Sequence, residues 1–338
     1  MKIINLSDFS TQWNWLAREY NNPNLSWEHI SIQSYPPPNW LPRGQSLARL
    51  RAAWHAFNKA NQGNSLLVSH GPRPALYSSA IASYRNHQLP HLVYSFNFTQ
   101  LPTGIQHRLM AKAYQQPQKF VTYSTAERQL YANYFGIPID RIDMIHWSVH
   151  RPEIDRGAPR LIEGDYVCAL GSQGRDFQTL FAALKLLPSV RLIVVTHAEY
   201  LKGLEIPDNV TVLTNIPLTQ AHNILLHSRL MIVPLRNNEV PCGHVTIVSG
   251  MFFGKPMVVT DSSGVHDYIE DGRTGLYCEA GNPNDMARKV DMLLSSKQLS
   301  DSLANCGLAF AEENCTEKTV LNYFNRYLSS TFGIKQIA

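Results

Sequence analysis

The feature that most constrains the fold is the alternation, along the whole chain, of short apolar segments with longer amphipathic segments. The short segments have the length and composition of buried parallel strands. The longer segments repeat apolar residues at helical spacing, as in Phe177, Leu180, Phe181 and Leu184 before Pro188. A βαβα order of this kind predicts an α/β fold in which helices cover both faces of parallel sheets.

Strands are expected near residues 2–6, 27–33, 64–69, 91–96, 119–123, 142–146, 165–170, 191–196, 210–213, 229–235, 257–260 and 275–278. Helices are expected near residues 12–20, 45–59, 74–85, 105–115, 125–135, 176–187, 218–226, 245–253 and 284–295, the last capped by Asn284. These strands are too many for one sheet, and 338 residues suit two domains. The polar segment 151–159, which carries proline and glycine, is the expected linker between a domain at 1–150 and a domain that begins near residue 160.

The cysteines and the apolar runs bound the class of protein. Five cysteines without a C-x-x-C pair favour a reducing cytosol over a disulfide framework or a zinc site. No run of about 18 apolar residues occurs, and the first residues do not resemble a signal peptide. A cytoplasmic protein without a membrane-spanning helix is therefore expected.

Charge is distributed unevenly along the chain. Residues 1–150 contain 13 Lys/Arg and 6 Asp/Glu, whereas residues 151–338 contain 17 and 20. A basic first half predicts an acidic acceptor or an anionic surface, and a solvated positive face is the alternative. No nucleic-acid partner is expected.

Residues 47–59 form an amphipathic helical segment, with Leu47, Leu50, Trp54 and Phe57 on one side. A helix that faces the core is the commoner explanation of such a pattern. The alternative is a helix that rests peripherally on the inner face of a membrane, where a lipid acceptor would be held.

A loop between a predicted strand and a predicted helix has the features of an anion site. The helix begins at Gly243-His244-Val245-Thr246, so its free N–H groups are expected at the carboxyl edge of a parallel sheet. Gly243 permits close approach, and Thr246 adds a hydroxyl. The helix start supplies only about 0.3–1 kcal/mol for an anion, whereas micromolar binding needs about 8 kcal/mol. A cationic side chain is therefore required as well.

Arg175 is the candidate for that cation. It ends a second glycine-bearing loop, Gly171-Ser172-Gln173-Gly174-Arg175, which also follows a predicted strand. A guanidinium can hold a diphosphate through two parallel hydrogen bonds. An ordinary capped turn for the first loop and a surface arginine for the second are the structural alternatives.

Residues 160–330 resemble the nucleotide-sugar-binding domain of GT-B glycosyltransferases in the retaining family 4 group. The resemblance is carried by Gly171, Gly174-Arg175-Asp176, Asn215-Ile216-Pro217-Leu218, Pro234-Leu235, Cys242-Gly243, Gly254-Lys255-Pro256-Met257-Val258, Gly264 and Asp271-Gly272-Arg273-Thr274-Gly275-Leu276. The first half is similar only loosely, mainly at 123–128 and 135–138. The resemblance implies two Rossmann-like domains that face each other across a cleft. The second would cover residues 160–316, and a C-terminal helix within 317–338 would cross back to the first.

The resemblance also implies roles for single residues. Arg175 falls where a basic side chain contacts the donor diphosphate, beside Gly171 and Ser172. The 243–246 loop would hold phosphate and sugar through its amides. The nucleoside of a UDP- or GDP-linked donor would be met by Asn215, Ile216, Leu218 and Ser249.

The chain departs from the family's pattern at the donor site. Two family glutamates, eight residues apart, correspond to Pro241 and Ser249, and Glu239 lies near the first position but out of register. An arginine that usually follows the first glycine of the other loop is replaced by Ser172. Donor binding is therefore either reorganised or weakened, with Arg236 as one candidate for the missing charge.

In the first domain, the family's histidine after the fourth strand corresponds to Asn97, which can hydrogen-bond a sugar hydroxyl but cannot act as a base. His70, at the end of another predicted strand, is the second candidate near the reacting sugar, and a structural histidine is the alternative. In the resembling enzymes the departing phosphate takes the acceptor proton. The protein then mainly positions the substrates and stabilises the developing charge.

These features predict a glycosyltransferase that moves a sugar from a nucleoside diphosphate to a glycan, lipid or small-molecule acceptor, with retention and without a metal or cofactor. No D-x-D motif stands at a strand end to hold a metal. A nucleotide-sugar epimerase on the same scaffold and a catalytically silent sugar-nucleotide- or glycan-binding protein are the alternatives. A nicotinamide dehydrogenase is disfavoured because Ser7-Asp8-Phe9-Ser10, not G-x-G-x-x-G, follows the first strand.

Overall fold

The computed structural model describes residues 1–13, 15–20, 22–37, 44–236 and 240–334. Two compact units divide the chain. Unit 1 takes in Met1–Ile145 and the residues from Val320 on, and unit 2 takes in His146–Thr319. Each unit contains a six-stranded sheet whose strand pairs are parallel, so the expected α/β class with two Rossmann-like sheets is confirmed. The segment 151–159, expected as a linker, lies within unit 2.

Unit 1 has the strand order β2-β1-β3-β4-β5-β6. Its strands are β1 (Lys2–Ser7), β2 (Ser26–Ser31), β3 (Ser65–His70), β4 (His91–Tyr94), β5 (Lys119–Thr122) and β6 (Ile142–Met144). Its first five helices are α1 (Trp15–Glu19), α2 (Gly44–Ala60), α3 (Pro72–Tyr84), α4 (Gly104–Ala113) and α5 (Thr125–Phe135). Strand order reverses between β1 and β3, and open α/β sheets bind ligands beyond the carboxyl ends of the strands at such a point.

Unit 2 has the strand order β12-β11-β10-β7-β8-β9, and its order reverses between β7 and β10. Its strands are β7 (Val167–Leu170), β8 (Leu192–Thr196), β9 (Val210–Thr214), β10 (Met231–Val233), β11 (Met257–Thr260) and β12 (Leu276–Cys278). Its helices are α6 (Phe177–Lys185), α7 (Leu218–His227), α8 (His244–Phe252), α9 (Pro283–Ser295) and α10 (Lys297–Asn314). The last helix of the chain, α11 (Glu317–Phe332), belongs to unit 1 from Val320 on. Among the described residues, no helix is both long and apolar enough to span a bilayer.

The large apolar residues of the segment 47–59 do not all lie on the buried side of its helix. Leu50 and Trp54 are 42% and 39% exposed, whereas Phe57 is buried. The buried side of α2 is instead made of Ala48, Ala52, Ala53, Ala56 and Ala60. Small side chains let the helix axis approach the sheet closely, so the core-facing interpretation is wrong for Leu50 and Trp54.

Two further expectations in unit 2 need correction. Helix α9 is capped by Asn282, which accepts a hydrogen bond from the Asp285 amide, because Pro283 is suited to the first helical position and Asn284 lies inside the helix. Helix α10 was not expected, because its buried residues are mostly small. Added to Gly307, a Cβ would lie 3.4 Å from Met251 Cγ, so this helix approaches α8 where a larger residue has no room.

Helix α5 begins with a capping box built from Ser124 and Glu127. The Ser124 hydroxyl accepts a hydrogen bond from the Glu127 amide, and the Glu127 carboxylate accepts from the Tyr123 amide and the Tyr131 hydroxyl. Glu127 is only 1% exposed, and this burial raises its pKa from 4.5 to about 7.

We expect Glu127 to make unit 1 less stable as pH rises. The folded state holds this proton more tightly than the unfolded chain, so the free energy of unfolding falls between about pH 4.5 and pH 7, by about 1–3 kcal/mol. Replacing Glu127 by Gln removes the titration and should flatten that slope. Urea unfolding followed by tryptophan fluorescence is a suitable measurement, because five of the six tryptophans precede residue 146. Glu163→Gln, at an exposed position in unit 2, is the control, and an unchanged slope in Glu127→Gln would contradict the assignment.

Candidate functional site

The reversal of strand order in unit 2 brings together the two loops singled out in the sequence. The loop after β7 and the loop after β10 pair through their backbones: the Asp176 amide donates to Pro234 O and the Arg236 amide donates to Gly174 O, each at 2.9 Å. A pocket of about 270 Å³ lies beside them. Its lining includes Gly171, Ser172, Thr196, His197, Asn215, Ile216, Leu218, His222, Val245, Thr246 and Ser249.

Arg175 lies beneath this pocket and links the two loops. Its guanidinium donates to Thr246 Oγ1 at 2.6 Å, to Gln173 O at 2.9 Å and to Leu170 O at 3.3 Å. The side chain is held against Gly171, since a Cβ there would lie 2.6 Å from Arg175 Nη2. Gly171 also has φ 99°, a conformation that favours glycine.

The charge of Arg175 is buried, and within the described part of the chain it has no carboxylate partner. The residue is 5% exposed, and burial lowers the pKa of its guanidinium, although an arginine stays protonated. Among the described residues no carboxylate forms an ion pair with Arg175. Glu239, noted in the sequence, lies outside the described residues. An isolated buried cation is costly, so this position is suited to an anionic partner.

Helix α8 begins at this site with its first amides free of side-chain caps. Gly243 is its N-cap with φ 99°, and among the described residues no side-chain cap bonds the first turn. Val245 is 52% exposed and lines the pocket. The start of α8 therefore presents backbone N–H groups beside the Thr246–Arg175 pair.

His244 contributes to this loop through packing. It is 7% exposed, its Nε2 donates to Gly264 O at 2.8 Å, and its ring stacks on Tyr268. Burial lowers the pKa of His244 to about 4, so the ring is neutral. Because the His244 ring is buried and already bonded, a ligand can contact this residue through its backbone.

The opposite wall of the pocket is a polar network. Ser172 Oγ accepts hydrogen bonds from Thr196 Oγ1 and from the His197 amide, each at 3.0 Å. His197 Nδ1 in turn donates to Asn215 Oδ1 at 3.0 Å. Asn215 has φ 55°, which sets the turn that leads into Leu218. Ser172 therefore organises the loop, where the family pattern has an arginine.

The positions of the two missing glutamates differ in environment. Pro241 is buried, and a Cβ on Gly264 would lie 2.3 Å from its Cβ, so Pro241 packs tightly in the loop. Ser249 lines the pocket but donates its hydroxyl to Val245 O one turn earlier. Two histidines that the sequence did not single out, His197 and His222, line the same pocket. A clue to both was their position near the carboxyl end of β8 and in the first turns of α7.

Unit 1 carries a second pocket, of about 510 Å³, at its own reversal of strand order. The two candidates that the sequence placed near the reacting sugar, His70 and Asn97, both line this pocket. Asp8, Arg73 and the start of α4 line it as well. Gly71, at φ 89°, begins α3 at its edge. Among the described residues, no group of three His, Cys, Asp or Glu side chains is arranged to hold a metal ion.

His70 is held in one orientation by neighbours on the sheet. Its Nε2 donates to Asn5 Oδ1 at 2.6 Å, and Asn5 Nδ2 donates to His29 Nδ1 at 3.0 Å. Phe9 and Trp13 pack edge-on to the ring. Burial lowers the pKa of His70 to about 3, so the ring is neutral at physiological pH. A neutral, fixed imidazole suits hydrogen bonding to a substrate better than proton storage.

Comparison with known proteins links unit 2 to one family. Residues 166–296 match the family model described as Glycosyl transferases group 1. An uncharacterized glycosyltransferase of Methanocaldococcus jannaschii is 31% identical over 91 residues, which are 27% of this chain and 25% of that protein. The chain thus matches about a quarter of the length of this curated relative.

Solved structures share the fold along the whole chain. Sucrose-phosphate synthase of Thermosynechococcus elongatus has a TM-score of 0.75 at 13% identity, covering 98% of this chain and 100% of that chain. Anabaena HepE in complex with UDP has a TM-score of 0.71 at 14% identity, with the same coverages. Its complex with UDP-glucose has a TM-score of 0.72 at 16% identity, again covering 98% and 100%.

We expect Thr246→Val to loosen the two-loop arrangement. The change keeps the side-chain shape but removes the acceptor of a hydrogen bond from a buried charge, which costs about 1.5–3 kcal/mol of unfolding free energy. Urea unfolding followed by far-UV circular dichroism measures this loss. Thr211→Val on β9 is the control and should be nearly neutral. Equal stability of Thr246→Val and wild type would show that this bond does not hold the loops together.

Proposed function

We propose that this protein, which combines a glycosyltransferase group 1 domain with the GT-B fold, transfers a sugar from a nucleoside diphosphate donor to an acceptor hydroxyl. The donor is UDP- or GDP-linked, and the glycosidic configuration is retained. No metal and no cofactor take part. The acceptor is a glycan, a lipid or a small molecule, and unit 1 makes peripheral contact with a membrane surface.

The buried charge of Arg175, which no carboxylate of the described residues compensates, carries this proposal. A diphosphate that enters the unit 2 pocket meets the amides at the start of α8 and the field of Arg175 behind Gly171. Charge develops on the diphosphate as the sugar–phosphate bond breaks. A cation already desolvated at that point stabilises the developing charge without having to reorganise.

The rest of the pocket suits a nucleoside. Ile216 and Leu218 offer apolar surface, and Asn215, His197 and Ser249 offer hydrogen-bonding groups. The structures of Anabaena HepE with UDP and with UDP-glucose support a uridine donor for a chain of this fold. Without a glutamate at position 249, the ribose depends on neutral groups.

The unit 1 pocket is the proposed acceptor site. His70 and Asn97 offer neutral hydrogen-bonding groups to sugar hydroxyls, and neither is suited to take a full proton at neutral pH. The departing phosphate takes the acceptor proton, and retention follows when attack occurs on the face that the phosphate leaves. The protein's part is positioning.

Nucleotide binding tests the donor site directly. A nucleoside diphosphate at 100 times its dissociation constant should stabilise the protein by about 2.7 kcal/mol. Thermal shifts measured with UDP, GDP, ADP and the matching monophosphates would identify the base and the need for the second phosphate. The absence of a shift with every nucleotide would contradict the proposed function.

Val245→Asp separates donor binding from stability. A carboxylate in the first turn of α8 stabilises the free helix by about 0.3–1 kcal/mol, but it repels a diphosphate at the same amides. We expect an unchanged or higher melting temperature and an affinity for nucleotide lower by about tenfold to hundredfold. Val245→Asn, of nearly the same size and uncharged, is the matched control and should bind like wild type. A nucleotide shift that survives in Val245→Asp would exclude the start of α8 as the phosphate site.

Turnover tests the role of Arg175. Arg175→Ala should sharply reduce sugar transfer, while Arg175→Lys, which keeps the charge but loses the planar fork, should keep part of it. Because Arg175 also links two loops, both variants are compared with Thr246→Val at equal folded fraction. Kinetics like those of wild type in Arg175→Ala, with saturating donor, would contradict the assignment.

The proline and serine at 241 and 249, together with Asn97, favour one alternative: a catalytically silent binder of sugar nucleotides or glycans. Calorimetry combined with donor-hydrolysis assays separates the two functions, since a silent binder gives heat but no free nucleotide. A nucleotide-sugar epimerase is the other alternative. It would change the donor sugar with no acceptor present.

A further inference from the structure

From His29 to Ala126 the chain contains no aspartate and no glutamate. The same stretch contains nine basic residues: Arg43, Arg49, Arg51, Lys59, Arg73, Arg85, Arg108, Lys112 and Lys119. It covers helices α2, α3 and α4 entirely. Six of these basic residues lie within the three helices, and Arg85 directly follows α3.

The fold places these three helices side by side. They connect β2 to β3, β3 to β4 and β4 to β5, and these connections all run in the same direction across the sheet. Right-handed crossovers put such helices on the same face of a sheet. Helix α2 packs against α3, and α3 packs against α4.

Between α2 and α3 lies an apolar groove of about 670 Å³. Leu50 and Trp54 from α2 and Tyr84 from α3 line it and are 42%, 39% and 83% exposed. Ile105 and Leu109 on α4 are 76% and 60% exposed. Large apolar side chains exposed in one layer indicate an interaction surface rather than scattered surface residues.

Cations border these apolar side chains. Arg51 lines the groove, and the Arg85 guanidinium lies 4.5 Å from the ring centre of Trp54. Arg51, Arg85, Arg108 and Lys112 form no ion pair with any acidic side chain of the described part of the chain. By contrast, Lys59 is paired with Glu28 and Arg49 with Asp8, away from this border. Together, these side chains form a surface that we call the α2–α3 face: Leu50, Arg51, Trp54, Tyr84 and Arg85.

We propose that the α2–α3 face rests on an anionic lipid bilayer surface, with Leu50, Trp54 and Tyr84 entering the interfacial layer and Arg51 and Arg85 meeting lipid phosphates. This inference rests on the membrane contact proposed above, and it does not depend on sugar transfer. Trp and Tyr are suited to this layer because one part of each side chain is apolar and the other is polar. Apolar insertion and electrostatic attraction act together at such surfaces.

A lipid surface fits better than a nucleic acid. Phosphate backbones are bound by cations supported by polar side chains, and their affinity is mainly electrostatic. Here most of the groove residues beside the cations are apolar or aromatic, and His55 and Asn58 are the other polar side chains of its lining. The buried side of α2 is made of five alanines together with Phe57, so packing against the core does not use Leu50 or Trp54.

Sedimentation with vesicles tests the proposal. The full chain is mixed with phosphatidylcholine vesicles or with vesicles that contain phosphatidylglycerol as well, at about 0.05 M and about 0.5 M salt. We expect binding to the anionic vesicles at low salt, weaker binding at high salt because the charges are screened, and little binding to neutral vesicles.

Variants separate the two contributions. Arg51→Gln with Arg85→Gln should weaken partitioning about fivefold per residue. Leu50→Ser with Tyr84→Ser should weaken it by about tenfold through lost apolar burial. Arg273→Gln with Arg288→Gln, and Leu161→Ser with Tyr200→Ser, make the same types of change at exposed positions of unit 2 and should bind like wild type.

Several results would overturn the inference: no binding to anionic vesicles, equal binding to both vesicle types, or equal losses in the unit 1 and unit 2 variants. Retention by duplex RNA or DNA, without vesicle binding, would assign the face to nucleic acid instead. Nucleotide thermal shifts measured on the same samples keep the two proposals apart. A normal shift without vesicle binding excludes only the membrane surface, and vesicle binding without any shift excludes only the donor site.

Discussion

The hydrogen bond from Arg175 to Thr246 is the interaction on which the candidate site of unit 2 depends. It joins the loop after β7 to the first turn of α8, and the guanidinium is held against Gly171. The glycine leaves the space, the buried cation supplies the charge, and the helix start supplies the amides. Each of these alone is common in α/β proteins, and their convergence is the basis for proposing a diphosphate site here.

Much of the fold could be predicted from the sequence, because hydrophobic periodicity reports which segments are buried. Strand β11 (Met257–Thr260) and helix α5 (Thr125–Phe135) agree with the expected bounds. Helix α10 escaped notice because it packs through Leu303, Ala304, Gly307 and Ala311, and small residues leave little apolar signal. For α2 the sequence predicted burial that the structure does not show. Leu50 and Trp54 have the helical spacing of core residues, but both are exposed.

The sequence predicted which loops form the candidate site, but it did not predict the side-chain contacts between them. The loops at 171–175 and 243–246 could be located, because glycine and a strand–helix junction mark anion sites. The contacts depend on side-chain directions that distant residues set. Examples are the hydrogen bond from Arg175 to Thr246, the packing of the His244 ring on Tyr268, and the hydrogen bonds that Ser172 accepts. The positions of His197 and His222 near β8 and in α7 were the only clue to them, because a single histidine forms no motif in the sequence.

The reversal of strand order in unit 2 also has a kinetic consequence. The two residues that join the loops are 71 positions apart in the sequence, and they meet only when β7 and β10 have become neighbours. Such long-range parallel pairing is among the slow steps of folding, because a long stretch of chain must be ordered before the contact forms. We therefore expect the candidate pocket to form only after the central strands of unit 2 have paired, because neither half of the unit contains both loops.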